Sequence, residues 1–172
     1  FFDMATNEPL RGETHQGFSD DSSWARGQSW AVYGLALCYH YTHEEAILPL
    51  FERVTKYFID HLPEDYVPYW DLIFSDGSCE PRDTSAAAIA ACGILEMEKY
   101  YHNQEFLDIA KKMMSSLSEK YTTVDYLQSN GIIKDGMYSR KHGHKSECTS
   151  WGDYFYLEAL MRMKKSDWKI YW

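Results

Sequence analysis

The sequence predicts an all-α fold built from helical hairpins set around a common axis. Three observations carry this expectation. Five stretches place apolar residues at helical spacing. Long polar, aromatic loops precede the first, third and fifth of them. Helix starts near Trp24, Thr84 and Gly152 recur at a weak repeat of about 60 residues, as hairpins around an axis would. A plain helical bundle satisfies the same periodicity.

Residues 1 to 22 read as a loop, broken by Asn7, Pro9, Gly12 and Gly17. Ser22 or Ser23 is placed to cap a helix from about Trp24 to Tyr41, with Ala25, Val32, Leu35, Ala36 and Tyr39 on its apolar positions. A second helix is expected from about Glu44 to His61, its start moved toward residue 48 by Pro49. The stretch LPEDYVPYWDLIFSDGSCEPRD, residues 62–83, holds three prolines and a glycine and reads as a loop, with an extended piece at Val67 to Leu72. Asp83, Thr84 or Ser85 caps a third helix running to about Tyr101. Its core, SAAAIAACGILEM, is so uniformly small and apolar that it should be buried on most sides. A fourth helix spans about Gln104 to Tyr121, amphipathic through Phe106, Leu107, Ala110, Met113, Met114 and Leu117. Residues 122–150 form a long loop in which GIIKDGMY is expected to turn as a small hairpin at Asp135-Gly136. A fifth helix covers about Gly152 to Met163, and the aromatic tail SDWKIYW is expected to pack down. With helices one and two, and three and four, paired as hairpins, the N-terminal ends of helices one, three and five face a common mouth. Helix N-termini hold anions well.

The chain of 172 residues, 45% hydrophobic and 25% charged, has the balance of one globular domain with a sizeable core. Aromatic residues reach 16%, which suits either flat hydroxylated ligands such as sugars or a large aromatic core. A net charge of −9 repels phosphate backbones, so nucleic acid is not an expected partner. An anionic ligand would need local Arg, His or amide groups to hold it against that field. No run of apolar residues is long enough to span a membrane. Cys38 and Cys92 read as small core residues, and Cys38, Cys79, Cys92 and Cys148 show no close spacing that would suggest a bridge. His142 and His144 lie two apart on a loop, too little for a metal site without a third ligand. No metal and no cofactor are expected. The start at Phe1-Phe2-Asp3, without Met, suggests a piece of a longer chain.

The stretch THQGFSDDSSWARGQSW, residues 14–30, is the densest in chemistry. Arg26 and Trp30 stand four apart and share a helix face. They read either as a packed cation–π pair or as a binding wall, with Trp30 stacking on a sugar ring and Arg26 forking a carboxylate. His15 and Gln16 add an imidazole and an amide to the same mouth. Arg26 lies near the positive helix end, so its charge needs compensation from Asp20, Asp21 or a bound anion. One of Asp20 and Asp21 is read as a helix cap. EPRDTSAAAIA and ECTSWGDYFYLEAL repeat the pattern of a polar loop before a helix.

HQGFSDDSSWARGQSWAVYGLALCYHYT, HLPEDYVPYWD, EPRDTSAAAIAACGILEM and SWGDYFYLEALMRM together resemble the unsaturated glucuronyl hydrolases, glycoside hydrolase family 88. The resemblance runs from about Gly12 to the C-terminus. It implies an (α/α)6 barrel of six hairpins, of which these 172 residues would be about the C-terminal half. It implies removal of a 4,5-unsaturated uronic acid from the non-reducing end of lyase-generated oligosaccharides. In that chemistry a carboxylic acid protonates C4 of the vinyl ether, water adds at C5, and the hemiketal opens. The anomeric carbon is not attacked, so carboxylate separation does not predict the outcome. The acid must stay protonated near neutral pH, which calls for burial.

The family's catalytic aspartates lie in the missing N-terminal half, and no residue here matches them. Gln16, Arg26 and Trp30 match its substrate-binding Gln, Arg and Trp. Tyr138 is the counterpart of a late-loop Tyr, with Tyr154 as the alternative. Expected partners are the unsaturated oligosaccharide and either the N-terminal half or a second copy. A cytoplasmic location is expected, with a periplasmic one open. A half-barrel that binds acidic oligosaccharides without catalysis is the other function compatible with these residues.

Overall fold

A computed structural model describes residues 1–165 and 167–170. It contains helices α1 (Ala25–Thr42), α2 (Ile47–Asp60), α3 (Thr84–Met97), α4 (Gln104–Lys120) and α5 (Ser150–Lys164), with one 3-10 turn at Arg140–His142. Helices α1, α3 and α5 form an inner layer, with α3 in the middle against both others. Helices α2 and α4 form an outer layer on α1 and α3 respectively.

The reason for this order lies in α3. Of its residues only Leu95 is not buried, so no face is left for water. Its small side chains let neighbours approach closely. A Cβ added at Gly93 would lie 2.8 Å from the backbone N and Cα of Tyr33, so α1 and α3 touch backbone to side chain-free backbone at that point. The outer helices bury only a stripe: Phe51, Thr55 and Phe58 from α2, and Phe106, Ala110, Met113, Met114 and Leu117 from α4.

The caps differ in part from the sequence expectation. Asn103 and Thr149 cap α4 and α5, accepting from the amides of Phe106 and Gly152. Helix α1 has Trp24 at its N-cap position and no side-chain cap. Ser22 and Ser23 are committed elsewhere, the first to buried Asp71 at 2.8 Å, the second to the Tyr57 hydroxyl at 3.2 Å. The loop 62–83 takes over the capping. Ala25 donates to the Trp70 carbonyl and Leu72 to that of Ser23, across an antiparallel bridge of Trp24 with Asp71. This is the extended piece expected at Val67 to Leu72.

Other boundaries move for identifiable reasons. Pro49 sits within the first turn of α2, where its missing N–H costs nothing, so the helix starts at Ile47. Helix α3 stops at Met97 rather than Tyr101. The GIIKDGMY hairpin does not form: Ile133 pairs with Thr122 and Gly136 with Glu147, because Asp135 (φ +61°) turns the chain between two different partners. Cys92 is buried as expected, but Cys38 faces outward.

At the C-terminal end of the inner layer, a buried ion network ties the three helices together. Glu96 of α3 accepts from Arg162 of α5 and, at 2.7 Å, from Lys99, and its other oxygen lies 2.8 Å from His40 Nδ1 of α1. Glu158 accepts from Arg162 Nε at 2.8 Å and from the Tyr33 hydroxyl at 3.1 Å. Burial would raise the Glu96 carboxyl, but Lys99 and Arg162 hold it below the usual carboxylate range. In the tail, Trp168 is buried with the Arg162 guanidinium 4.4 Å above its ring. Ser166, Tyr171 and Trp172 lie outside the described residues.

Candidate functional site

The opposite, N-terminal ends of α1, α3 and α5 converge on one guanidinium. Arg26, in the first turn of α1, is only 3% exposed. Its Nη1 donates to Asp83 Oδ2 and the Met137 carbonyl, both at 2.7 Å, and to Ser85 Oγ at 3.2 Å. Its Nη2 donates to the Tyr138 carbonyl at 2.6 Å. The rings of Trp24 and Trp151 flank it at 4.7 and 5.2 Å. Trp151, in the first turn of α5, also donates its indole N–H to Ser85 Oγ, which links α5 to α3 at this point.

The counter-charge therefore comes from Asp83, not from Asp20 or Asp21. Asp83 stands at the N-cap position of α3 but does not cap it; its Oδ1 accepts from Ser85 Oγ at 2.5 Å and from the Met137 amide at 3.4 Å. Nor does either earlier aspartate cap α1: Asp20 accepts from the Thr14 amide within its own loop, and Asp21 is exposed. Burial pushes the Asp83 carboxyl up, against the opposing pull of Arg26, Ser85 and backbone amides. Burial lowers the Arg26 guanidinium, which Asp83 resists, and an arginine starts so high that it stays charged.

In front of this pair lies a cleft of about 250 Å³, lined by His15, Gln16, Tyr138, Ser139, His142 and His144. The His15 and His142 rings lie 4.9 Å apart, and the His144 and Tyr138 rings meet at right angles with centroids 4.8 Å apart. Ser139 Oγ is 2.6 Å from His142 Nδ1. Gln16 Oε1 is shielded from solvent and meets no donor among the described residues. The rim is closed by Lys141, whose ammonium donates to the Thr14 carbonyl. A larger cavity, about 600 Å³, sits among Thr123, residues 126–129, Lys134 and Cys148, but no residue lining it belongs to a helix.

The structure thus gathers His15, Gln16 and Tyr138 on one cleft. Arg26 lies behind Tyr138 rather than in the cleft. Trp30, one turn further along α1, does not line it either; 38% exposed, it packs T-shaped with Phe155, ring centroids 5.1 Å apart. Tyr154, the alternative to Tyr138, packs on the same Phe155 at 5.0 Å. Sequence reading missed Ser139, His142 and His144 as lining residues. Their signal was the paired histidines of the 142–144 loop, weighed only as metal ligands. It also missed Asp71, which accepts from the Phe18 amide and Ser22 hydroxyl and so folds the His15–Gln16 loop back over the mouth.

Chemically, the cleft offers imidazoles, an amide, a phenol and a hydroxyl beside three positive helix ends, a set suited to sugar hydroxyls and an anion. Among the described residues, no carboxylate lines it.

The profile of glycosyl hydrolase family 88 matches residues 1–166. The chain belongs to glycosyl hydrolase family 88. Among its relatives in the family, the unsaturated chondroitin disaccharide hydrolase of Streptococcus agalactiae is 47% identical over 178 aligned residues, all of this chain and 44% of the relative. The unsaturated glucuronyl hydrolase of Bacillus sp. GL1 is 39% identical over 96% of the chain and 45% of its own length. The chain spans less than half the length of these curated relatives. A crystal structure of a Streptococcus agalactiae unsaturated glucuronyl hydrolase variant complexed with dGlcA-GalNAc6S superposes with a TM-score of 0.88 at 47% identity, covering 99% of this chain and 47% of that one. An unsaturated glucuronyl hydrolase specific for heparin gives 0.85 at 30% identity, covering 94% and 45%. The family-88 fold is the α/α barrel, and the inner layer α1, α3, α5 with its outer helices is about half of that ring.

Proposed function

We propose that this chain supplies the sugar-binding half of a hydrolase that removes 4,5-unsaturated uronic acid from lyase-generated glycosaminoglycan oligosaccharides. The observation that carries the reading is the convergence of three inner-helix N-termini on Arg26, directly behind the His15, Gln16, Tyr138 cleft, in a chain that overlays half of an enzyme solved with an unsaturated disaccharide. The uronate carboxylate is drawn to the positive helix ends. Gln16 and the imidazoles hydrogen-bond the unsaturated ring and the water that adds at C5. Trp30 stands outside this cleft, one turn along α1 and partly exposed, and meets the sugar only from the open side of the half-ring.

The acid that protonates C4 is not among the lining residues, so it comes from the rest of the barrel. Trp30, Tyr41, Tyr154 and Leu157, exposed on the two edge helices, are the faces on which that remaining half would pack. The reading includes a cytoplasmic site of action, since a disaccharide substrate can be imported.

The test is the ultraviolet absorbance of the conjugated double bond in an unsaturated chondroitin disaccharide. The chain alone should leave it unchanged, and the chain joined to the other half of the barrel should bleach it. Binding without bleaching by the joined protein would favour a non-catalytic receptor for acidic oligosaccharides. Neither binding nor bleaching would end the proposal.

A further inference from the structure

Arg26 is placed where a ligand-contacting arginine would be expected, yet its terminal nitrogens face inward. They meet one buried carboxylate and the carbonyls of two consecutive residues, Met137 and Tyr138. Carbonyls of neighbouring residues in extended chain point to opposite sides, so turning both toward one guanidinium requires a local bend. The bend lies between two other fixed points. On one side Gly136 exchanges two backbone hydrogen bonds with Glu147, both at 2.9 Å. On the other the chain enters the 3-10 turn at Arg140–His142. Between them Met137 and Tyr138 hang on the guanidinium, while the Ser139 carbonyl accepts from the His142 and His144 amides, and the segment carries Tyr138 and Ser139 into the cleft.

We propose that Arg26 and Asp83 are positioning residues. The pair acts through the 137–139 segment and sets where Tyr138 and Ser139 stand in the mouth. Asp83 holds the guanidinium with one oxygen and takes the Met137 amide with the other, so carboxylate and arginine grip the same residue from both its polar groups. A lysine could keep the charge opposite Asp83 but has no planar fork to span two carbonyls as well. The proposal rests on the reading of the cleft as the sugar pocket, and its test separates the two.

The first measurement does not involve the sugar. Amide hydrogen exchange in Arg26→Lys should speed up by about tenfold or more at Met137, whose amide Asp83 holds, and at His142 and His144, whose amides rest on the Ser139 carbonyl, while α1 and α3 keep their protection. Equal acceleration across the helices would show that Arg26 merely holds the fold together, and no acceleration would show that it holds nothing. Asp83→Asn, which keeps the side-chain shape, should give the same local pattern and serves if Arg26→Lys does not fold.

The second measurement is a cycle with Tyr138→Ala, read as KM and kcat for an unsaturated chondroitin disaccharide on the protein expressed from its own gene. Arg26→Lys should raise KM by about tenfold with kcat little changed, and should add nothing in the Tyr138→Ala background. Independent, multiplying effects would overturn the proposal. If the unsubstituted protein neither binds nor turns over the disaccharide, the sugar-pocket reading falls, while the exchange pattern still decides the positioning role.

Discussion

Arg26 and Arg162 are both buried at the inner helix layer, one at each end, and they are wired differently. Arg26 meets one carboxylate and two loop carbonyls. Arg162 meets two carboxylates, Glu96 and Glu158, with Lys99 and His40 on the same glutamate. The first arrangement connects helices to a loop that lines a cleft. The second connects helix to helix. A guanidinium among carboxylates pins a scaffold; a guanidinium that spends half its donors on carbonyls shapes the segment those carbonyls belong to.

That contrast is broken or sharpened by substitution. The largest effect is expected at the scaffold end. Arg162→Ala leaves two buried glutamates without their main cation, and breaking such a pair costs about 3–5 kcal/mol. Urea unfolding should show that loss, and a loss no greater than for Arg26→Lys would erase the distinction between the two ends. Between the clusters, Gly93→Ala pushes a methyl against the Tyr33 backbone, where no flexible side chain can yield. Overpacking of this kind costs about 1–3 kcal/mol. An unchanged midpoint would mean that α1 and α3 are not held at this spacing.

Smaller effects follow from charge. Glu96 is held below its usual range in the folded chain, so its contribution to stability is complete above the unfolded carboxyl value and is lost as pH falls through the lowered one. A Glu96→Gln variant should therefore show a shallower loss of stability with acid than the parent, measured as unfolding midpoint against pH. Equal slopes would remove Glu96 from the network's account. The smallest stability effect is expected at Trp30, which is partly exposed beside Phe155. Trp30→Ala should cost well under the ~3–5 kcal/mol of a core tryptophan, while weakening disaccharide binding. Arg26 stacks on Trp24 and Trp151, not on Trp30 as the i, i+4 spacing allowed, so a core-sized loss with unaltered binding would make Trp30 a packing residue on Phe155.

The two regions also differ in how far they could be read from sequence. The helices, their pairing and the buried third helix follow from local periodicity, so the stretches around Ala86 to Ile94 and Phe106 to Leu117 were legible. The mouth was half legible. His15, Gln16 and Arg26 lie within twelve residues and announce themselves together. The partner of Arg26 lies 57 residues away and its carbonyl ligands more than a hundred, so local spacing pointed to Asp20 and Asp21 instead. Ser22 and Ser23 were read as caps because capping is local, while Asp71, which claims Ser22, arrives from another loop. The Glu96–Arg162 network was not foreseen at all: each member looks like an ordinary polar residue near a helix end, and only the stacking of three helices brings them together.

The central claim is that the mouth formed by the N-termini of α1, α3 and α5 receives the unsaturated uronic acid. The direct measurement is an NMR titration of this chain with an unsaturated chondroitin disaccharide, followed to saturation. The account predicts shifts confined to the His15, His142 and His144 imidazoles, the Gln16 side-chain amide, the Tyr138–Ser139 backbone and the Trp30 indole, with α2 and α4 silent. Shifts centred instead on the Tyr126–Lys134 cavity, or none anywhere at saturating sugar, would contradict it.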